Sequence, residues 1–281
     1  MTVLTVAALT LREASRRRAL LAVVVLTAAL LLLSGWGFSR LAAESGLGTL
    51  TSGQARLAAS QLLNLVMFGL SLIAALGTAF LAGPTLSGET ESGIALAVLA
   101  RPVRRSAVLL GKWLGLAAFG SGFVVLAGLA QCLVVLATVG YWPPRPATAL
   151  ALLAGQTVVL LTLGLLLATV VSPMASGVVA VGLFGATWVA GVVGGIGEAL
   201  GNDGVARVGA VSRMLLPTDG LWRGAMHALQ DPVVLARFGA EFDGFPFLGE
   251  APLSAAYLGW AAAWVAMMWA LTAVSFQHRD L

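Results

Sequence analysis

Two groups of charged residues are where this 281-residue chain could do chemistry. One runs from Glu89 and Glu91 through Arg101, Arg104 and Arg105 to Lys112. The other sets Asp219, Arg223 and His227 four residues apart, on one face of a helix. Both suit electrostatic recognition rather than bond-making. A membrane-embedded hydrolase needs a serine with a histidine, paired aspartates or a zinc-binding HExxH, and no such constellation is visible. Two distant histidines, His227 and His278, and the single Cys132 leave no ligand set for zinc and no internal disulfide. A GxxxxGK[ST] phosphate loop is missing as well, because Gly111-Lys112 is followed by Trp113 and Ser106 stands where the first glycine is needed. Uphill work by this chain would take its energy from another one.

The elements that must carry these residues follow from composition. Of the residues, 59% are hydrophobic and 10% charged, whereas soluble domains carry about a quarter charged residues. Too little polar surface remains to coat a core in water, so the chain reads as an all-α, polytopic membrane protein. Nucleic acid is a poor partner, since the net charge is only +4 and Arg16, Arg17 and Arg18 form the sole basic block.

A cation or acid at mid-bilayer costs about 2.5 to 3.5 kcal/mol on insertion scales, and about 20 apolar residues cross the hydrocarbon. Charge-free stretches therefore mark six spans, at about 19–38, 61–83, 113–139, 148–171, 175–197 and 253–276. Ser172-Pro173 divides the long apolar interval into the fourth and fifth, because proline interrupts helices and constrains its predecessor. The first apolar run is too long for a signal peptide and lacks a small-x-small cleavage site, so it reads as a retained span. Arg16 to Arg18 beside it favour a cytoplasmic N-terminus. Alternating from there puts nine Lys and Arg inside (12, 16, 17, 18, 101, 104, 105, 112, 279) and seven outside (40, 56, 145, 207, 213, 223, 237). Both termini are then cytoplasmic, with all of 1–281 forming one transmembrane domain.

Three segments lie outside the spans. Residues 1–18 contain Val3, Val6, Leu9 and Leu11 at near-helical spacing with Arg12, Glu13, Arg16 and Arg17 as the polar remainder, which predicts an interfacial helix. Residues 84–112 form an inner loop: Gly93 permits a change of direction, 94–100 is a short apolar helix candidate, and Pro102 can start the next helix. Spacing alone favours an ordinary inner loop with topology-fixing cations over a coupling element. Residues 198–250 hold seven acids and four arginines. Within them, Pro217-Thr218-Asp219 marks a helix start, and Leu221, Trp222, Ala225, Met226 and Leu229 form an apolar face. The expectation is a helix lying at the outer membrane surface with Trp222 at headgroup depth. It either gates a pathway or closes the bundle. Glu241, Asp243 and Glu250 lie among Phe242, Phe245 and Phe247, a packed loop rather than a cation site.

Within the spans the polar residues are mild, chiefly Gln61, Asn64, Gln131 and Gln156. Ion-coupled carriers keep carboxylates or histidines at mid-membrane, so their absence from the spans argues against that class. Gly182, Ala186, Ala190 and Gly194 share a stripe, as do Gly191 and Gly195, where a second helix could approach closely.

The chain resembles the permease subunits of ABC-2 type ABC transporters. The resemblance rests on LREASRRR (11–18), on the loop pattern carried by Glu89 or Glu91, Gly93, Leu99, Pro102, Arg105, Gly111 and Lys112, and on the short basic tail. LLPTDGLWRGAM (215–226) is similar to the outer region of the subgroup that includes the copper-processing permease of nitrous-oxide reductase maturation. The resemblance implies the following. Residues 84–112, with Arg101 and Arg104, act as a coupling helix seated in a cytoplasmic ATPase, and 1–18, with Arg12, Glu13 and Arg16, as a connecting helix. Asp219, Trp222 and Arg223 belong to the outer helix. The chain itself binds no cofactor, with ATP and Mg in the partner ATPase. It pairs with a second copy of itself or a similar permease in the plasma (inner) membrane, mostly for export, and an extracytoplasmic accessory protein is a further partner. A secondary carrier or channel, or a scaffold docking a partner on 198–250, are the competing readings.

Overall fold

The computed structural model describes residues 3–16, 18–46, 52–91, 105–232 and 251–277. Among them every regular element is a helix: α1 (Val3–Ala14), α2 (Arg18–Gly46), α3 (Ser52–Glu91), α4 (Arg105–Val139), α5 (Pro146–Ala168), α6 (Pro173–Ala199), α7 (Asp203–Leu215), α8 (Thr218–Leu229) and α9 (Ala255–Gln277). Helices are the form this composition dictates, since hydrocarbon leaves every N–H and C=O to be satisfied inside the chain. Six of them, α2 to α6 and α9, are long and apolar enough to cross a membrane. The serines and threonines within them largely satisfy themselves: Thr27, Thr78, Thr138, Thr157 and Thr272 each donate to the carbonyl four residues back.

The boundaries follow local signals. Ser172 caps α6 by accepting from the Ala175 N–H, with Pro173 at the first helical position. Asn202 caps α7 through the Val205 N–H. At Pro84 the structure departs from expectation, for α3 runs through it to Glu91, well past the span. Proline removes one internal hydrogen bond there, and the packed surroundings hold the helix. Gly83 abuts the Pro173 carbonyl and the Ser176 hydroxyl so closely that a Cβ would collide with both.

α3 and α5 form the centre. Of the α5 span, 67% is buried within the bundle, against 17% for α2 and for α9. The main core joins Leu63, Met67 and Leu70 of α3, Val124 and Cys132 of α4, Leu153 of α5, and Trp222 and Met226 of α8. α2 and α6 turn rows of Leu and Val outward, among them Leu21, Val25, Leu32, Val178, Val189 and Val193. These are surfaces suited to lipid or another apolar partner. Trp36 is exposed with the Arg40 guanidinium 5.7 Å from its ring, an arrangement suited to a headgroup boundary.

The helix expected at the outer surface does not lie there. α7 turns at Gly201 and runs back antiparallel along α6, with Gly194 against Gly209 and Gly197 against Val205 and Ala206. α8 then returns outward along α5, Leu221 lying near Gly155 and Gly224 near Leu152. Together they make a re-entrant hairpin. Its arms of 13 and 12 residues span about 20 and 18 Å at the helical rise, more than half of the roughly 30 Å hydrocarbon. Trp222 is 1% exposed and in the core, not at headgroup depth. The apolar face is buried as its spacing predicts, and Thr218, Gly220, Gly224 and Ala228 leave so little bulk on the rest of the helix that neighbours close around it.

Candidate functional site

The bundle carries two candidate regions, one at each end, with inner meaning the side of α1. At the inner end, Gly93, Leu99, Arg101, Pro102 and Arg104 lie outside the described residues, as does the helix expected at 94–100. Glu89 and Glu91 belong to the last turn of α3 and Arg105 opens α4. The stems of the loop are therefore two long helices.

Gly111 and Lys112, grouped with the loop by sequence, are buried at its root. Lys112 is 6% exposed and its Nζ donates to the Thr85 carbonyl at 2.7 Å, tying α4 to α3. A charge-assisted bond of this kind contributes about 1.5–3 kcal/mol. Lys112→Met keeps the aliphatic stem and removes the bond, so it is expected to lower the unfolding free energy in micelles by about that amount; an unchanged unfolding curve would show the tie to be idle.

α1 docks on the same root. A Cβ on Gly111 would lie 2.6 Å from Val6 Cβ and 2.8 Å from the Val3 carbonyl, and one on Gly115 2.6 Å from the Ala7 carbonyl. Two glycines one turn apart thus let the backbones of α1 and α4 touch. The buried stripe of α1 is Val6, Thr10 and Ala14, while Leu9 and Leu11 are exposed. The expected stripe through Leu9 and Leu11 is corrected: partner glycines select small residues on α1, and its leucines face outward. Arg12, Glu13 and Arg16 are exposed on its polar side.

At the outer end the hairpin is held by ions. The Asp219 side chain is 2% exposed, with Oδ2 3.0 Å from Arg223 Nε and 3.6 Å from Arg213 Nε. Arg223 Nη2 donates to the Gly191 carbonyl, and Gly191 has no side chain because the Asp219 carboxylate occupies that space. Arg213 Nη2 also meets Glu198 at 3.4 Å. The outer glycines of α6, offered by sequence as a subunit seam, are therefore in part spent inside the chain; Gly182 is open.

Both ends of the hairpin are satisfied by protein. At the tip, Trp264 and Trp260 of α9 donate their indole N–H groups to the Leu215 and Met214 carbonyls at 2.9 and 3.3 Å, and Thr187 meets Thr218 at 3.2 Å. At the mouth, Tyr141 O–H donates to the Leu229 carbonyl at 2.6 Å and the Arg145 N–H to that of Ala228 at 3.2 Å. Trp222 stacks 5.6 Å from Phe68, whose ring lies 4.6 Å from Trp188, joining α8, α3 and α6. Sequence found Asp219, Trp222 and Arg223 but missed Arg213, Glu198 and Tyr257. The four-residue spacing of Asp219 and Arg223 was readable, whereas Arg213 reaches Asp219 only because the chain reverses between them. The hairpin also brings Arg213, Asp219 and Arg223 against the α6 span at Gly191.

No curated protein matches the chain. A family model described as ABC-2 family transporter protein matches residues 4–281, from α1 through all six spans to the C-terminal residue. With its six-span bundle and nearly the whole sequence covered, this chain belongs to the ABC-2 transporter family, as a multi-pass membrane permease.

Proposed function

We propose that this permease is the membrane half of an ATP-driven exporter of the plasma membrane, powered by a separate ABC-type ATPase that holds ATP and Mg. The observation that carries the reading is mechanical. The segment 92–104 is flanked by α3 and α4, joined at their inner ends by Lys112 and Thr85, and α1 is seated on the same root of α4. A push on that segment would be delivered to two long helices and the connecting helix as one body. Glu89, Glu91, Arg101, Arg104 and Arg105 supply charges of both signs for an ATPase cleft, and Arg12, Glu13 and Arg16 add a second contact on α1.

Two such halves, identical or similar, would line the pathway, and the outward apolar rows of α2 and α6 suit a protein seam as well as lipid. Closure of the ATPases on ATP then biases the pair between inward- and outward-facing states by making different contacts in each. The similarity of 215–226 supports a place near the copper-processing subgroup, with an outer accessory protein as a partner. The spans hold no Cys or His pair, so copper itself is a poor cargo.

Affinity purification tests this reading. An ATPase subunit is expected to accompany the chain, and Arg104→Glu with Arg105→Glu to cut ATP-dependent transport at least about tenfold, one lost ion-pair contact being worth that much. Purification without an ATPase, or full transport by the double variant, overturns it. One observation favours a second reading as an ion-coupled carrier: Asp219, a buried carboxylate at membrane depth. Arg223 and Arg213 both engage that carboxylate. That reading requires transport in vesicles that follows an ion gradient and ignores ATP.

A further inference from the structure

Beside the Asp219 cluster the hairpin leaves an open cavity of about 320 Å³. Arg213, Arg223 and Glu198 line it, with Gly220 and Gly224 as its floor and residues 251 to 257 as its far wall. We propose that this cavity binds a phosphate-bearing anion at the outer end of the bundle. The inference is independent of any ATPase, since it concerns the opposite end of the molecule.

The charge balance points to an anion. Asp219 lies beneath the cavity and is shared by both guanidinium groups, so one carboxylate faces two cations. Glu198 is the remaining acid, 3.4 Å from Arg213 and 53% exposed at the rim. An exposed pair of that kind is weak and readily exchanged. Displacing Glu198 would leave a net positive cavity in low-dielectric surroundings.

Donor geometry points the same way. Arg223 commits Nε to Asp219 and Nη2 to the Gly191 carbonyl. Arg213 commits Nη2 to Glu198, and its buried Nε has no hydrogen-bond partner among the described residues. Neither Nη1 has a described partner, so each planar fork keeps donors for an oxyanion. Both guanidinium groups are held before a ligand arrives, Arg223 by Asp219 and the Gly191 carbonyl, Arg213 by the Asp219 carboxylate 3.6 Å from its Nε. Ser254, at the N-terminus of α9, adds a hydroxyl at the wall. Gly220 and Gly224 bear no side chains because the Tyr257 ring and Leu253 pack directly against their backbones, which fixes the far wall against α8. Phosphate takes two planar forks better than one point charge does, and the volume admits a headgroup-sized molecule.

The same chemistry arises from a lipid headgroup or from free phosphate, and two probes separate them. The full-length protein is purified in neutral detergent with whatever subunit accompanies it. Inorganic phosphate binding is followed by ³¹P line broadening, and retention of phosphatidylglycerol against phosphatidylcholine by native mass spectrometry. Phosphatidylglycerol retention identifies a lipid headgroup, and phosphate binding alone identifies a free anion; either supports the site. Arg213→Gln is expected to weaken the bound probe at least about tenfold, the equivalent of one charge-assisted bond. Glu198→Gln, at an exposed position that tolerates change, is expected to tighten it about threefold by removing the competing acid. Should Arg213→Gln fail to fold, the gain in Glu198→Gln decides the matter. Binding of neither probe, or binding that Glu198→Gln leaves unchanged, overturns the proposal.

Discussion

Asp219→Ala is expected to lower the stability of the permease by about 3–5 kcal/mol, the cost of removing one partner from a buried ion pair. Two guanidinium groups would then face a low-dielectric interior with no carboxylate between them, and Arg223 would keep only its bond to the Gly191 carbonyl. The hairpin should loosen first, because this cluster joins α6, α7 and α8 at one point. Hydrogen exchange across 203–229 would rise before that of α3 and α5. The distinguishing measurement is a double-mutant cycle of Asp219→Asn, Arg223→Gln and the pair. If the ion pair carries the stability, the pair costs less than the two single changes together. Strict additivity would show that the hairpin is held by packing of Trp222, Met226 and Leu229 alone.

The second large effect is expected at the inner end. Gly115→Leu places a side chain where a Cβ alone would lie 2.6 Å from the Ala7 carbonyl and 2.9 Å from Thr10 Cβ. Backbone cannot yield there as a flexible side chain would, so α1 must lift off α4. Overpacking costs about 1–3 kcal/mol in ordinary cores, which shifts the docked population of α1 roughly 5- to 150-fold. α1 lies at the edge of the bundle, so the six spans should stay folded while ATP-driven transport falls at least about tenfold. Trypsin cleavage at Arg12 and Arg16 gives the direct readout and should accelerate. Transport at the parental rate with α1 released would separate the helix from coupling. Gly122, with open space around its Cβ position, serves as the control, and Gly122→Leu should be silent in both assays.

These two sites differ in how far sequence could reach them. The six spans were readable because the cost of burying charge in hydrocarbon is a property of each residue and not of its neighbours. Ser172-Pro173 marked a helix junction for the same reason, since a cap and a fixed φ act within one turn. Gly111 and Gly115 stood in the sequence as well, but one glycine pair among 34 glycines carries no signal until α1 is seen lying across it. The stripe on α1 was misread because leucine suggests a core, whereas the partner backbone accepts only Val6, Thr10 and Ala14.

The amino-acid sequence by itself determined a membrane-embedded helical bundle and its span count, and it carries no phosphate-loop motif. All of these follow from local composition and from the solvent that composition requires. Only the tertiary structure decided where α8 goes. Amphipathicity reports that a helix has an apolar face and a charged one, and a headgroup boundary satisfies that pattern as well as a buried ion cluster does. The choice depended on partners that a local pattern does not show: Arg213 set against Asp219 by the reversal between α7 and α8, the Gly191 carbonyl of α6, and the indoles of Trp260 and Trp264 closing the tip. With those partners in place Asp219 can be buried, and the outer loop becomes a re-entrant hairpin with a charged cavity at its side.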